Sequence, residues 1–115
     1  MDDVINHQTA GFDVDFNANT MCDSAEVASN LMKVMANPDR LLLLCQLAQN
    51  ERSVSELEHL TGLKQPSLSQ QLTVLREAKL VFTRREGKNI FYQLASISAM
   101  KVMQVLYQEF CQNNR

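Results

Sequence analysis

Glycine and proline are scarce in this chain, three and two in 115 residues. All-β folds and long irregular regions need more of both, so the long runs without either favour helix. No apolar run is long enough to span a bilayer, and no membrane partner is expected. The opening residues, MDDVINHQTAGFDVDF, are acidic and lack the basic-then-apolar layout of a secretory signal, so a cytoplasmic location is expected. There is no glycine-rich phosphate loop, no H-E-x-x-H pair and no nucleophile elbow. The sequence therefore offers no catalytic residues and no cofactor site, and an enzyme is not expected. The two histidines, His7 and His59, are isolated, and His59 reads as an exposed helix residue rather than a metal ligand. Three cysteines, Cys22, Cys45 and Cys111, do not make a structural framework. In a cytosolic chain any disulfide among them would be transient and redox-linked.

Positive charge is missing from the first quarter. Before Ala28 there are Asp2, Asp3, Asp13, Asp15, Asp23 and Glu26, with no Lys or Arg. The net charge of −2 argues against a nucleic-acid partner until its distribution is read. From Lys64 to Asn89 the positives are Lys64, Arg76, Lys79, Arg84, Arg85 and Lys88, against Glu77 and Glu86. The asymmetry, an acidic arm and a basic half, is the informative quantity.

The stretch SVSELEHLTGLKQPSLSQQLTVLREAKL, Ser53 to Leu80, has the grammar of two short helices around a tight turn. Ser53 and Glu56 form a capping box that starts a helix. Gly62 suits the left-handed residue that ends it. Pro66 suits the first position of the next helix. Leu68, Leu72 and Leu75 recur on one face as a buried stripe. The other face carries Ser67, Ser69, Gln70, Gln71 and Thr73, uncharged groups that both donate and accept hydrogen bonds. This is the helix-turn-helix pattern.

Upstream, Met1 to Met21 has no helical period and reads as an arm that Phe12 and Phe16 can pin to a neighbouring surface. The remainder, 22–115, reads as one domain. Asp23 or Ser24 can cap a first helix running to about Ala36. Its apolar face is Ala25, Val27, Ala28, Leu31, Met32, Val34 and Met35, which suits either a core or a partner. Asn37-Pro38 starts a second helix, Asp39 to about Ala48, whose four consecutive leucines predict burial on most sides. Downstream, Val81–Arg85 and Ile90–Leu94 are β-branched and aromatic around Glu86-Gly87-Lys88-Asn89, which predicts a hairpin. A hairpin directly after a recognition helix is a wing, its tip presenting Arg84, Arg85 and Lys88 to phosphates or a narrow minor groove. Ser96 or Ser98 caps a last helix through about Gln112, with more apolar surface than one small core needs, which suits a dimer interface. The expected fold is mainly α: five helices plus a two-stranded wing.

In that order the elements resemble the winged-helix repressors of the ArsR family. MANPDRLLLL, the L-S-Q-Q-L of the recognition helix and the L-V-F-T-R-R-E-G-K wing carry the resemblance most specifically, and it extends from about Asp23 to Cys111. It implies a homodimer packed through the first and last helices, bound to double-stranded DNA at an inverted-repeat operator and released by an inducer. Gln65, Ser67, Ser69, Gln70 and Gln71 would face the major groove, where glutamine can pair bidentately with adenine. Lys64, Thr73, Arg84, Arg85 and Lys88 would hold phosphates.

The family's metal-sensing patterns are absent. Val54-Ser55-Glu56-Leu57-Glu58-His59 replaces the cysteine cluster of one type, and the last helix lacks the Asp and His ligands of another. Cys45 and Cys111 instead resemble the cysteine pair of the sulfide- and persulfide-responsive branch, the BigR, SqrR and HlyU group. The resemblance implies that reactive sulfur species convert these two thiols to a disulfide or polysulfide bridge. Two alternatives stay open: an arsenite- or soft-metal-responsive repressor using the thiolates of Cys22, Cys45 and Cys111, and a winged helix that binds protein rather than DNA.

Overall fold

Side-chain caps fix where the helices begin. A computed structural model describes residues 15–112. Helix α1 (Ala18–Met35) starts on Asn17, whose side chain accepts from the N–H groups of Asn19 and Thr20. Helix α2 (Pro38–Gln49) starts on Asn37, whose Oδ1 accepts from the Arg40 N–H at 3.0 Å, with Pro38 in the first turn. Such side-chain acceptors satisfy N–H groups that a helix start leaves unpaired. The capping box forms at Ser53 and Glu56 and starts α3 (Val54–Thr61), which ends at Gly62 with φ 78°. Helix α4 (Ser67–Glu77) follows Pro66, which itself has helical backbone angles and no capping side chain. Helix α5 (Ile97–Tyr107) is capped by Ser96, whose Oγ accepts from Ala99 N–H at 3.0 Å. A π-helical turn, Gln108–Gln112, continues it.

Strands β2 (Val81–Glu86) and β3 (Asn89–Leu94) form the wing, paired from Val81↔Leu94 to Glu86↔Asn89. Gly87 takes φ 65° at the first position of the two-residue loop, where a side chain would be strained. The sheet has a third strand that sequence periodicity did not reveal: β1 (Arg52–Ser53) pairs antiparallel with β3, giving the order β1-β3-β2. A two-residue strand carries no period to detect.

The core is built from α2, α3, α4 and the start of the wing. Leu43, Leu44, Leu47, Leu57, Leu68, Leu72, Leu75, Leu80 and Val81 are buried, joined by Met35 of α1 and Ala99 of α5. The predicted stripe of α4 is therefore its buried face. Helix α2 is less enclosed than four leucines suggest: Leu41 is half-buried and Leu42 exposed.

The start of α1 corrects the expected boundary. The helix begins at Ala18, ahead of the expected caps Asp23 and Ser24, so residues 18–21 are helical rather than arm and Cys22 lies inside the helix. The polar run Ala18-Asn19-Thr20 gave no apolar period there. Phe16 is exposed, and Phe12 and His7 lie outside the described residues. Among the described residues, no helix is long and apolar enough to cross a membrane.

Candidate nucleic-acid interface and its thiols

Burying Leu68, Leu72 and Leu75 turns the opposite face of α4 outward. Ser69, Gln70 and Thr73 are exposed there, with Lys64 and Gln65 exposed just ahead of the helix, while Ser67 and Gln71 are half-buried. These groups are not equally available. Gln65 Oε1 accepts from both the N–H (3.1 Å) and the hydroxyl (2.6 Å) of Ser69, so it serves an N–H of the first turn of α4. Gln71 Oε1 accepts from Arg40 Nη1 at 2.8 Å. The Thr73 hydroxyl donates to the Ser69 carbonyl at 2.9 Å. Gln70 has no side-chain hydrogen bond among the described residues, so both ends of its amide are open.

The wing departs from expectation at Arg84. It sits within β2 opposite Phe91, and not at the tip. Its Nε and Nη2 donate to Glu51 at 2.6 and 2.9 Å, and its Nη1 donates to Glu86 at 2.9 Å. Its guanidinium lies over the Phe91 ring, 4.7 Å from the centroid. Gln93 Nε2 adds a third contact to the Glu51 carboxylate at 2.6 Å. The hydrogen bond from Arg84 is the main cause that holds the Glu51 carboxyl below its usual range, opposed by partial desolvation and helped by Gln93. The same bond, with that to Glu86, raises Arg84 above its ordinary value. These bonds tie the wing to the turn after α2. Arg85 and Lys88 are exposed and make no ion pair among the described residues, which leaves them as the wing's available cations. Nothing in the local sequence singles out Glu51. Its acidity was visible, but the strand register that brings it to Arg84, 33 residues on, was not.

All three thiols are free. Cys45 is half-buried on α2, with Gln49 Nε2 4.0 Å from its sulfur. Cys111 is exposed on the π-helical turn that prolongs α5, and α2 and α5 pack against one another. Cys22 is exposed on α1. Among the described residues no three Cys, His, Asp or Glu side chains converge as a metal-holding group, so the three-thiolate alternative has no assembled site within one chain. His59 is exposed.

Two further surfaces are apolar and uncovered. On α1 only Met35 is buried, while Val27 (74% exposed) and Met32 (63%) face outward. On the last helix and its turn Ile97, Val105, Tyr107 and Phe110 are exposed.

A helical core, a recognition helix packed on leucines and a two-stranded wing within a three-stranded sheet together make a winged helix-turn-helix protein. Residues 37–82 match the family model described as "Bacterial regulatory protein, arsR family". The chain is 56% identical over 81 residues to the biofilm growth-associated repressor of Agrobacterium fabrum, covering 70% of this chain and 69% of that one. The crystal structure of the transcriptional repressor BigR from Xylella fastidiosa superposes with a TM-score of 0.81 at 45% identity, covering 84% of this chain and 98% of that one. Reduced HlyU from Vibrio cholerae superposes with a TM-score of 0.76 at 41% identity, covering 81% and 98%. The chain belongs to the arsR family, whose members are transcriptional regulators and not enzymes.

Proposed function

We propose that this protein is a homodimeric transcriptional repressor that leaves its operator when Cys45 and Cys111 react with persulfide or polysulfide. The observation that carries the DNA-binding part is the division of α4: its leucines are buried, and its hydroxyl and amide side chains face outward beside Lys64, Arg85 and Lys88. In that arrangement α4 enters a major groove and the wing follows the backbone. The repressor role is supported by the named role of the Agrobacterium and Xylella relatives. The exposed apolar faces of α1 and α5 support pairing of two copies and reading of an inverted repeat.

The thiol part is supported by residue placement. Cys111 is exposed and meets an incoming persulfide first; Cys45, half-buried, resolves the adduct. The Cys111 thiolate attacks the terminal sulfur of R–S–SH, the S–S bond breaks, RS⁻ leaves and Cys111 becomes a persulfide. The Cys45 thiolate then attacks the inner sulfur, expelling HS⁻ and leaving a disulfide. Alternatively both thiols become persulfides and condense to a trisulfide with loss of H₂S. The sulfane sulfur supplies the oxidising equivalents in both routes, so no further oxidant is needed. A bridge between α2 and α5 joins the supporting layer of the reading head to the apolar layer. A coupling of a few kcal/mol is enough to vacate most operators.

The test is release from an operator duplex, followed by fluorescence anisotropy, in wild type and in the double variant Cys45→Ser, Cys111→Ser. Persulfide is expected to release wild type and leave the variant bound; release of the variant would place the switch elsewhere. Mass spectrometry of the treated protein distinguishes a trisulfide, which adds sulfur, from a plain disulfide, which only loses hydrogen.

A further inference from the structure

Arg40 spans three helices. Its Nε donates to the Val34 carbonyl at 2.5 Å. That carbonyl lies in the last turn of α1, and its expected partner four residues on is Pro38, which has no N–H. The arginine supplies the missing donor. Its Nη1 reaches across to Gln71 Oε1 at 2.8 Å, 31 residues away on the recognition helix. Its own backbone N–H is held by the Asn37 cap. The link between α1 and α2 is only Ala36 and Asn37, and the Asn37 N–H is itself bonded to the Met35 carbonyl. One half-buried guanidinium therefore connects the end of α1 to the middle of α4. A lysine, with one compact ammonium, does not reproduce a forked pair of bonds in two directions.

The contact also changes what Gln71 can do. Bidentate recognition of adenine uses both ends of the amide, oxygen accepting from N6 and nitrogen donating to N7. The Arg40 bond draws that oxygen toward α2, so the amide is not free to turn both of its ends to one base edge.

We infer that Arg40 is a positioning residue for DNA recognition: it locks α4 to the end of α1 through Gln71, and it withdraws Gln71 from base reading. The inference rests on the proposal that α4 enters DNA and that α1 packs on a second copy. Because α1 carries the exposed apolar face, the lock ties each reading helix to the layer that sets the distance between two of them. Arg40 thereby sets the half-site spacing that the dimer accepts.

The test starts from duplexes enriched from a random pool by the full-length wild-type chain. Two panels are built on the enriched site, one with every base pair replaced in turn, the other with the centre one base pair longer or shorter. Affinities are measured for wild type, Arg40→Gln, Arg40→Lys, Gln71→Ala and the double variant Arg40→Gln, Gln71→Ala. The expected result for Gln71→Ala is an affinity lowered by a similar factor across the base panel. Arg40→Gln is expected to reduce the preference for the original spacing over the altered ones by about tenfold, equivalent to losing one charge-assisted bond, with the rank order of base preferences kept. Arg40→Lys falls between, and the double variant is no weaker than Arg40→Gln. Loss of discrimination at one symmetric base pair in Gln71→Ala would overturn the inference, because Gln71 would then read a base. An unchanged spacing preference in Arg40→Gln, with its fold confirmed by circular dichroism, would overturn it as well. If wild type enriches no duplex, the DNA-binding reading fails first and this inference with it. Gln71→Ala changes one half-exposed helix position, so its result stands even if Arg40→Gln unfolds.

Discussion

The reading unit and the outer helices treat their leucines, valines and methionines in opposite ways. From Leu57 to Val81 most of the large aliphatic residues close on one another: Leu57, Leu68, Leu72 and Leu75 are buried together with Leu80 and Val81, and Leu60 is left exposed. Along α1 and α5 residues of the same kinds stand open: Val27, Met32, Ile97 and Val105. The first region is finished within one chain. The second is apolar surface that one chain leaves in water, which is what the proposed pairing of two copies would cover. A stability measurement and an assembly measurement should therefore respond to different halves of the molecule.

The largest effect is expected in the finished half. Leu72→Ala removes a fully buried side chain from the centre of α4 and should cost roughly 2–5 kcal/mol of unfolding free energy, read from urea denaturation. The contrasting substitution is Val27→Asp on α1. It should keep helix content by circular dichroism, shift sedimentation equilibrium from dimer toward monomer, and weaken operator binding by about tenfold or more, of the order of one lost interface contact. If Val27→Asp unfolds the chain while Leu72→Ala does not, the comparison is reversed. A smaller effect tests the turn between α3 and α4. Gly62 has φ 78° and open space around a built Cβ, so Gly62→Ala suffers only from the left-handed backbone, about 1–2 kcal/mol, without a clash term.

The smallest effect sits at the wing. The Glu51 carboxyl titrates below its unfolded value, so its bond to Arg84 adds stability above the ordinary carboxylate range. That contribution is lost as pH falls through the lowered folded value. The gap in urea midpoint between wild type and Glu51→Gln should close on acidification and should also shrink in high salt, since the pair is solvent-accessible. A gap that widened in acid would contradict this assignment.

How much of this was legible in the sequence follows from range. The caps at Asn37, Ser53 and Ser96 act over three residues, and Gly62 over one, so local chemistry announces them. The buried stripe of α4 follows from helical period alone. What was not legible depends on contacts across the chain. Arg84 looks like a free wing cation until Glu51 is brought beside it, and Gln71 looks like a base reader until Arg40 arrives. The start of α1 escaped because its first turn is polar. Lys79 escaped for another reason. It takes φ 64° just after α4, where glycine is usual, and no glycine marks the spot.

That turn has a consequence for how the protein lets go of DNA. Lys79 N–H bonds to the Arg76 carbonyl and Leu80 N–H to the Leu75 carbonyl, closing the end of α4 in a Schellman motif. The Leu80 carbonyl in turn accepts from Ala95 N–H at 2.8 Å, and the next residue opens β2. No slack separates helix from wing. With α4 in a groove as proposed, a roll of the helix would carry the hairpin with it, and groove and backbone contacts at one half-site would break as a single kinetic event. Dissociation from a half-site should then be one exponential step, without a partly engaged state in which the wing holds on after the helix has left.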